Sequence, residues 1–356
     1  MIKPISPVID CDIHPAVPPT SDLLPYFDEF WHDHVLERGI ESLETISYPP
    51  NSPLTARKDW RSADGRAATD AAALARDILD PSGTRLAILN STLGVQLPHN
   101  EDFARAAMRA ANDWLAREWL DKDARLRASI LLGLQNIGHA VEEVERCAQD
   151  KRFVQVMMLA MGEMPLGKRH FWPIYEAAEK HGLPIGIHAG SSYRHPVSSL
   201  GWPNFYIEDY VSQSLGFQAQ VASLITEGVF AKFPKLKVVL IESGVSWAPA
   251  FLWRLTKFWR GMRSEVPWVD RPPWEVFRDH IRMTITPLDA PDSAESVAKI
   301  ADHLHSDEIL LYSSDYPHWQ FDGSDVLPAG LSENLRNKIM VDNPLATYPR
   351  CSEAVQ

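Results

Sequence analysis

Val8-Ile9-Asp10-Cys11-Asp12-Ile13-His14, near the start of the chain, has the composition of a buried strand that ends in metal-binding side chains. Successive side chains of a β-strand point to opposite faces. The alternation predicts an apolar face and a polar face, formed respectively by Ile9, Cys11 and Ile13 and by Asp10, Asp12 and His14. Two carboxylates and an imidazole on a buried face are costly unless something compensates their charge, and a divalent cation commonly does so. The segment predicts either a metal site or a hydrogen-bonded polar cluster at a strand end.

Three later segments have the same form, an apolar run followed by a side chain that can bind a metal or carry a proton. They end at His188, at Glu242 and at Asp315, and His318 follows the last of them. Such runs are typical of fully buried parallel strands. Polar side chains gathered at the carboxyl ends of many parallel strands are the pattern of a (β/α)8 barrel active site. We therefore expect all four strand ends to meet at one face of a barrel.

The alternation of strand and helix patterns predicts one α/β domain over residues 1–356, a single (β/α)8 TIM-type barrel. The strand candidates are 8–14, 85–91, 126–133, 153–159, 184–189, 237–242, 281–286 and 309–314. The helical patterns that follow them lie at 101–120, 140–149, 172–181, 208–230, 247–260, 293–303 and 333–341. Eight such units suffice to close a barrel.

Two long connections are candidates for covering the mouth of this barrel. The span 15–80 separates the first two strands, and we predict that it is an insertion that forms a lid or an oligomer contact. The loop after His188 is also long. This loop and the region after the sixth strand supply the candidate substrate contacts, which are Arg194, His195, Trp202 and Trp247.

The composition restricts the kind of partner. A formal net charge of −12 argues against non-specific binding to nucleic acid or to an anionic membrane. Three cysteines, Cys11, Cys147 and Cys351, form neither a disulfide framework nor a zinc-ribbon spacing, which favours a reducing compartment. The N-terminus lacks the apolar segment of a signal peptide, and no apolar run has transmembrane length. We expect a cytoplasmic protein that acts on a small molecule and forms a homo-oligomer, either a dimer or a tetramer.

Four motifs together resemble the amidohydrolase superfamily. They are D-x-H at Asp12 and His14, I-H-A-G at His188, I-E-S-G-V-S-W-A-P around Glu242, and S-S-D-Y-P-H at Asp315. The closer similarity is to the amidohydrolase-related branch, which includes the metal-dependent non-oxidative decarboxylases of aminocarboxymuconate semialdehyde and of hydroxybenzoates. The resemblance extends from the first strand to the eighth and implies a barrel enzyme.

The resemblance also implies the metal ligands. The first-strand H-x-H or E-x-H pair of the family corresponds here to Asp12 and His14. Its fifth-strand histidine corresponds to His188, and its eighth-strand aspartate, which binds metal and handles protons, corresponds to Asp315. Binuclear members have a carboxylated lysine after strand four, whereas the candidate segment here, FVQVMMLAMG, contains no lysine. We therefore expect one divalent ion, Zn²⁺ or Mn²⁺, which both suit imidazole and carboxylate ligands.

The chain departs from the decarboxylases of this branch after the sixth strand, where they have a histidine and this chain has Glu242. Glu242 either acts as a general acid with a raised pKa or caps the following helix. The catalytic candidates are Asp315, Glu242 and His318.

Three functions remain open at this point. The first is decarboxylation of a small aromatic or unsaturated carboxylic acid, in which Asp315 or Glu242 protonates the carbon that loses CO2. The second is hydrolysis of an amide, cyclic amide, lactone or ester by metal-activated water, with Asp315 as the base. The third is a barrel without catalytic activity that holds a structural metal. The branch favours the decarboxylase, and the spare acid–base groups around the ligands argue against a structural metal.

Overall fold

Eight parallel strands form the centre of the molecule, in a computed structural model that describes residues 8–43, 56–63, 65–190, 196, 198, 200–291, 293–318 and 327–355. The strands are β1 (Val8–Ile13), β2 (Thr84–Leu89), β3 (Leu126–Leu131), β4 (Phe153–Leu159), β5 (Ile185–His188), β6 (Val238–Ile241), β7 (Ile281–Thr284) and β8 (Leu310–Leu311). Each strand pairs with the next along the chain. The backbone N–H of Cys11 donates to the carbonyl of Tyr312 at 2.9 Å, and that of His14 donates to Tyr316 at 2.7 Å. These bonds connect β8 to β1, so the predicted (β/α)8 barrel is confirmed.

The helices lie between the strands, as predicted, with additional short helices in the first connection and at the C-terminus. Those before β5 are α1 (Thr20–Leu23), α2 (Glu29–Arg38), α3 (Ala71–Leu74), α4 (Asp80–Ser82), α5 (Glu101–Trp114), α6 (Ile137–Cys147) and α7 (Trp172–Lys180). Those after β5 are α8 (Tyr206–Thr226), α9 (Val229–Lys232), α10 (Ala248–Met262), α11 (Pro273–His280), α12 (Ala294–His303), α13 (Glu333–Asn337), α14 (Asn343–Thr347) and α15 (Pro349–Val355). In the described part of the chain, no helix combines the length and the apolar character that crossing a bilayer requires.

The α5 helix illustrates why these helices form where they do. The side chain of Asn100 caps its first turn by accepting from the backbone N–H groups of Asp102 and Phe103, both at 3.0 Å. Along the helix, Ala107 and Ala111 recur on one face and are completely buried against the barrel. A good cap and a buried apolar stripe together define an amphipathic helix.

The strands contribute to two separate apolar cores. The larger core lies between the barrel and its helices and includes Ile13. The smaller core contains Ile9 and Cys11. It takes alternate residues from β1, β2 and β6 and one residue each from β4 and β8, so it fills the inside of the barrel. The prediction that Ile9, Cys11 and Ile13 share one face is therefore wrong. The register of β1 against β2 shifts between Asp10 and Ile13, and this irregularity breaks the alternation.

The C-terminal segment closes the bottom of the barrel. Tyr348 and Cys351 are fully buried in the inner core. Between them, the Arg350 guanidinium donates to the carbonyls of Phe153 (2.9 Å) and Ala148 (3.1 Å). Because Phe153 begins β4, this segment sits at the amino ends of the strands, opposite to the face that carries the predicted site.

The described residues of the first connection form three stretches, 14–43, 56–63 and 65–83. The helical part, residues 20–43, packs against the side of α5, where Phe27 stacks on Phe103 with ring centroids 6.2 Å apart. The part 56–63 runs along the loop after β8, because Ala56 pairs with His318 in an antiparallel bridge. The remainder of the predicted insertion includes residues outside the described ranges.

Candidate active site

Six polar side chains meet at the carboxyl ends of β1, β5, β6 and β8. They are Asp12, His14, His188, Glu242, Asp315 and His318. The ligand atoms of Asp12, His14 and His188 all lie within 4.8 Å of one another, and so do those of His14, Glu242, Asp315 and His318. His14 belongs to both groups. The structure thus brings together all four predicted metal ligands and all three predicted catalytic residues.

Both histidines of the first group are held in the same way. His14 Nδ1 lies 2.7 Å from the carbonyl of Asn90, and His188 Nδ1 lies 2.5 Å from the carbonyl of Ala189. A carbonyl oxygen only accepts, so each Nδ1 carries the proton and donates. Each Nε2 then faces the cluster and, once it carries no proton, offers it a lone pair, which is the orientation of a metal-binding imidazole.

The carboxylates lie around these two nitrogens. His14 Nε2 is 3.0 Å from Asp315 Oδ1 and 3.3 Å from Asp12 Oδ1. His188 Nε2 lies 3.9 Å from Asp12 Oδ1. Three atoms of this cluster are buried without a hydrogen-bond partner among the described residues: Asp12 Oδ2, His188 Nε2 and Asp315 Oδ2. Buried polar atoms are rarely left unsatisfied. Two carboxylate oxygens and one imidazole nitrogen of this kind fit a divalent cation.

Burial and charge change the protonation of these groups. Burial lowers the pKa of His188 to about 4, which keeps it neutral and able to bind metal. Burial also acts to lower the pKa of His14, but the charge of Asp12 and hydrogen bonds to Asp12 and Asp315 outweigh it and raise the pKa. Burial raises the pKa of Glu242 well above its ordinary value, and the negative charge of Asp315 adds to this. Burial opposes ionisation of Asp315 too, yet the charge of His318 and hydrogen bonds from His14 and His318 hold its pKa well below the usual range.

Glu242 belongs to the site and does not cap a helix. Its carboxylate oxygens lie 3.9 Å from His188 Nε2 and 3.9 Å from His318 Nδ1. The next helix, α10, begins only at Ala248, with Trp247 at its N-cap position. The capping interpretation is therefore wrong. Glu242 has a φ of 58°, and Asp315 a φ of 56°. Non-glycine residues in this region are uncommon, and such strained positions cluster at functional sites.

The predicted substrate contacts have different locations. Arg194 and His195 lie outside the described residues. Trp202 is 61% exposed. Trp247 is partly buried next to the loop that carries Glu242, but its indole N–H already donates to the carbonyls of Ser243 (2.9 Å) and Gly244 (3.0 Å). The indole N–H of Trp247 is therefore already used within the loop that carries Glu242.

Two residues hold the first strand in place. Sequence reasoning put Asp10 on the polar face of this strand without predicting its role, and it missed Asn90. Asp10 Oδ1 accepts from the backbone N–H groups of Ser314 (3.0 Å) and Asp12 (3.2 Å), so it ties β1 to β8. Asn90 accepts from His14 through its carbonyl and donates to Asp12 Oδ1 at 2.9 Å through its side chain. The only signal for Asn90 was its place at the end of an apolar run, as for the metal ligands.

Comparison with known proteins gives one family. The model of the amidohydrolase family matches residues 9–350, which is nearly the whole chain. Among curated proteins, γ-resorcylate decarboxylase from Polaromonas sp. strain JS666 is 27% identical over 194 residues. That alignment covers 50% of this chain and 57% of the relative, so the match spans little more than half of its length.

Solved structures support the fold. An amidohydrolase from Mycobacterium avium subsp. paratuberculosis K-10 superposes with a TM-score of 0.72 at 21% identity, covering 96% of this chain and 99% of the other. A dihydroxybenzoic acid decarboxylase from Polaromonas sp. JS666, with bound manganese and the inhibitor 2-nitroresorcinol, gives 0.67 at 17% identity and covers 97% of both chains. At these identities the superposition shows the shared barrel.

Proposed function

Because the chain belongs to the amidohydrolase family, we propose that it is a metal-dependent decarboxylase of a small hydroxylated aromatic acid. The observation that carries the metal dependence is the set of buried, unsatisfied atoms on Asp12, His188 and Asp315. The choice of reaction is supported by the curated relatives, which are named γ-resorcylate decarboxylases at 25–27% identity.

One divalent ion fits the ligand set Asp12, His14, His188 and Asp315. The segment 153–162, which comprises β4 and the three residues after it, contains no lysine that could bridge a second ion. Zn²⁺ and Mn²⁺ both suit this mixture of imidazole and carboxylate. When bound, the ion would supply Lewis-acid attraction for the substrate carboxylate and an adjacent hydroxyl oxygen.

In the proposed reaction, Glu242 supplies the proton that decarboxylation consumes. Decarboxylation breaks the bond between the ring carbon and the carboxylate, and the electron pair stays on the ring carbon. The protonated carboxyl of Glu242 donates its proton to that carbon, so that CO2 and the decarboxylated arene are the products. The short distances from its carboxyl group to two histidines and to Asp315 support the role of general acid.

In the proposed reaction, His318 returns a proton to Glu242. Its Nδ1 lies 3.9 Å from Glu242 Oε1 and 2.8 Å from Asp315 Oδ1, and its side chain is partly exposed to solvent. In this proposal Asp315 holds the His318 ring in position while the proton passes from solvent to Glu242. The stacking of His318 on His14, with centroids 4.6 Å apart, also restricts the ring.

A second candidate function is hydrolysis of a lactone, an ester or an amide, including a cyclic amide. It is favoured by one observation, the carboxyl of Glu242 at the end of β6 where the decarboxylases that this chain resembles have a histidine. In that reaction Asp315 accepts a proton from the attacking water, and Glu242 donates one to the leaving group.

A substrate panel in D2O separates the two reactions. The purified protein, reconstituted with Mn²⁺ or Zn²⁺, is offered ortho-hydroxy aromatic acids and, separately, cyclic amides and lactones. A decarboxylase releases CO2 and leaves one deuterium on the carbon that carried the carboxyl group. A hydrolase releases acid and no CO2. Loss of CO2 release after chelation, and its recovery on adding metal, would support the proposal, whereas acid release alone would contradict it.

We further propose that the protein is a homo-oligomer, a dimer or tetramer, and that residues 15–80 contribute either a lid or the contact between copies. The apolar side chains Ile207, Val211 and Leu215 recur at intervals of four on α8 and are 71%, 71% and 47% exposed. An exposed apolar stripe of this kind supports association. Sedimentation equilibrium tests the state, and a monomer at micromolar concentration would contradict the proposal.

A further inference from the structure

A chain of buried polar side chains runs through the barrel beneath the candidate metal site. It consists of Tyr348, which precedes α15, Gln155 on β4, Ser129 on β3, and Asn90 at the end of β2. All four side chains are fully buried. This series of hydrogen-bonded side chains ends on Asp12, the ligand candidate on β1. It thus connects the C-terminal segment at the bottom of the barrel to the site at the top.

Each step of this chain is a direct hydrogen bond. Tyr348 Oη lies 3.0 Å from Gln155 Oε1, and Gln155 Nε2 lies 2.8 Å from Ser129 Oγ. Ser129 Oγ lies 2.6 Å from Asn90 Oδ1, to which Gln155 Nε2 also donates at 3.3 Å. Finally, Asn90 Nδ2 donates to Asp12 Oδ1 at 2.9 Å.

The carboxylate of Asp12 determines the direction of every bond. An ionised carboxylate only accepts, so Asn90 must present its amide N–H to Asp12 and its oxygen to Ser129. Ser129 then donates to Asn90 and accepts from the Gln155 amide. The oxygen of Gln155 is left to accept from the hydroxyl of Tyr348. Both amides therefore have one orientation that satisfies the whole chain, and Tyr348 is its terminal donor.

Two further features preserve this arrangement. Gly186 on β5 leaves the space that the Gln155 amide occupies, because a Cβ at Gly186 would come within 2.5 Å of Gln155 Cδ. Asn90 also acts on a second ligand, since its carbonyl accepts from His14 Nδ1 at 2.7 Å. One residue thereby orients both ligand candidates of β1.

We propose that Asn90, Ser129, Gln155 and Tyr348 are positioning residues that hold Asp12 and His14 in the geometry that binds the metal. The inference rests on the metal site of the proposed function, but not on the reaction. Elsewhere the inside of the barrel is filled by apolar side chains such as Ile88 and Val239. A network that only filled space would not need to end on a carboxylate whose other oxygen is unsatisfied.

The test measures metal affinity rather than turnover. The dissociation constant for Mn²⁺ is obtained by competition with a chelating indicator, and the electron paramagnetic resonance spectrum of bound Mn²⁺ reports its ligand geometry. Asn90→Asp replaces the donor to Asp12 by a second carboxylate. We expect its affinity to fall at least ~10-fold, the lower end for partners that orient metal ligands.

Tyr348, the member of the network farthest from Asp12, allows a sharper comparison of metal affinities. Tyr348→Phe removes only the terminal hydroxyl and should weaken Mn²⁺ binding ~2- to 10-fold, the range of one net hydrogen bond. Tyr312→Phe is the matched control, because Tyr312 is equally buried and its hydroxyl has no partner among the described residues. Ser129→Ala should behave like Tyr348→Phe, and Ser129→Thr, which keeps the hydroxyl, should restore much of the affinity.

The outcomes distinguish the inference from the proposed function. If the unsubstituted protein binds Mn²⁺ tightly while Tyr348→Phe and Ser129→Ala bind it equally well with unchanged spectra, the network is structural only and the inference is wrong. This comparison remains decisive if Asn90→Asp does not fold. If the unsubstituted protein binds no divalent ion, the metal site itself is wrong.

Discussion

Asp315 is the side chain on which the contacts of the site converge. It accepts from His14 and His318 through Oδ1, and it leaves Oδ2 unsatisfied. Asp315→Asn keeps an oxygen that can bind metal but removes the negative charge that orients both imidazoles. We expect turnover to fall at least ~100-fold, the lower end of general acid–base contributions, while most of the metal is retained. Steady-state kinetics with elemental analysis of the same sample measures both, and near-normal turnover would remove Asp315 from the chemistry.

Glu242 gives a second prediction at this scale. Glu242→Gln preserves the shape of the side chain and cannot donate an acidic proton. If Glu242 is the general acid, CO2 release should fall by ~10²- to 10⁴-fold with little change in Mn²⁺ affinity. Turnover and metal binding are measured in parallel. Full decarboxylase activity in this variant would show that another group donates the proton.

Gly244 tests the loop that carries Glu242. It has a φ of +68°, and a Cβ there would approach Asp289 Oδ2 to 2.0 Å, whereas Gly182 has a φ of +65° and nothing within 4 Å. Both Gly→Ala changes incur a similar backbone cost of ~1 kcal/mol. We expect Gly244→Ala to lose activity as well as stability, because Asp289 and the loop must shift. Gly182→Ala should lose stability alone, as measured by urea unfolding beside the activity assay. Equal activity in the two variants would show that the loop tolerates the shift.

At the scale of elements, the part 56–63 of the first connection lies against the loop that follows β8. The Arg57 backbone N–H donates to the Pro317 carbonyl at 2.9 Å, and the Trp60 ring lies 4.7 Å from that of Tyr316, the neighbour of Asp315. These contacts support the proposal that part of the insertion acts as a lid. The same contacts couple the position of the segment 56–63 to that of His318, which directly follows Pro317.

Trp60→Ala should therefore impair catalysis without unfolding the barrel. We expect kcat/KM to fall ~10-fold, less than the ~10²-fold that a 1 Å misplacement can cost. Trp253→Ala, on an exposed part of α10, is the matched control and should leave kcat/KM unchanged. Equal kinetics for the two variants would contradict a role for this segment at the site.

The strands that carry the site were predictable because each is an apolar run that ends in a polar side chain. His188, Glu242 and Asp315 follow such runs directly, and parallel strands bring their carboxyl ends together. The faces of β1 were not predictable, because the shift in register between Asp10 and Ile13 has no signature in residue type. The role of Asn90 depends on partners from β3 and β4 that lie far away in sequence.

The C-terminal helices could not be predicted from the sequence, for a different reason. Helix α14 has five residues and α15 has seven. These lengths are too short for a helical periodicity of apolar side chains to predict them. Their contribution is instead tertiary, since Tyr348 and Cys351 seal the inner core. The end of the chain thus completes a barrel that the strands alone leave open at the bottom.

At the scale of the whole molecule, the metal should contribute to the stability of the fold. The site buries the carboxylates of Asp12, Asp315 and Glu242 around one shared side chain, His14, and this is costly without a compensating cation. An ion that binds only the folded state stabilises it by about 2.7 kcal/mol at a concentration 100 times its dissociation constant. Adding Mn²⁺ after chelation should therefore raise the thermal midpoint by several degrees.

The concentration dependence makes this prediction specific to the site. Once free Mn²⁺ exceeds the dissociation constant measured by indicator competition, the thermal midpoint should rise with the logarithm of its concentration. Each tenfold increase in free Mn²⁺ adds about 1.4 kcal/mol to the free energy of unfolding. A variant that combines Asp12→Ala and His188→Ala lacks two ligand candidates and should show no such rise, although its own midpoint is lower. An equal rise in the variant and in the unsubstituted protein would mean that Mn²⁺ acts on other carboxylates of this acidic chain, and the metal site proposed at β1 and β5 would then be wrong.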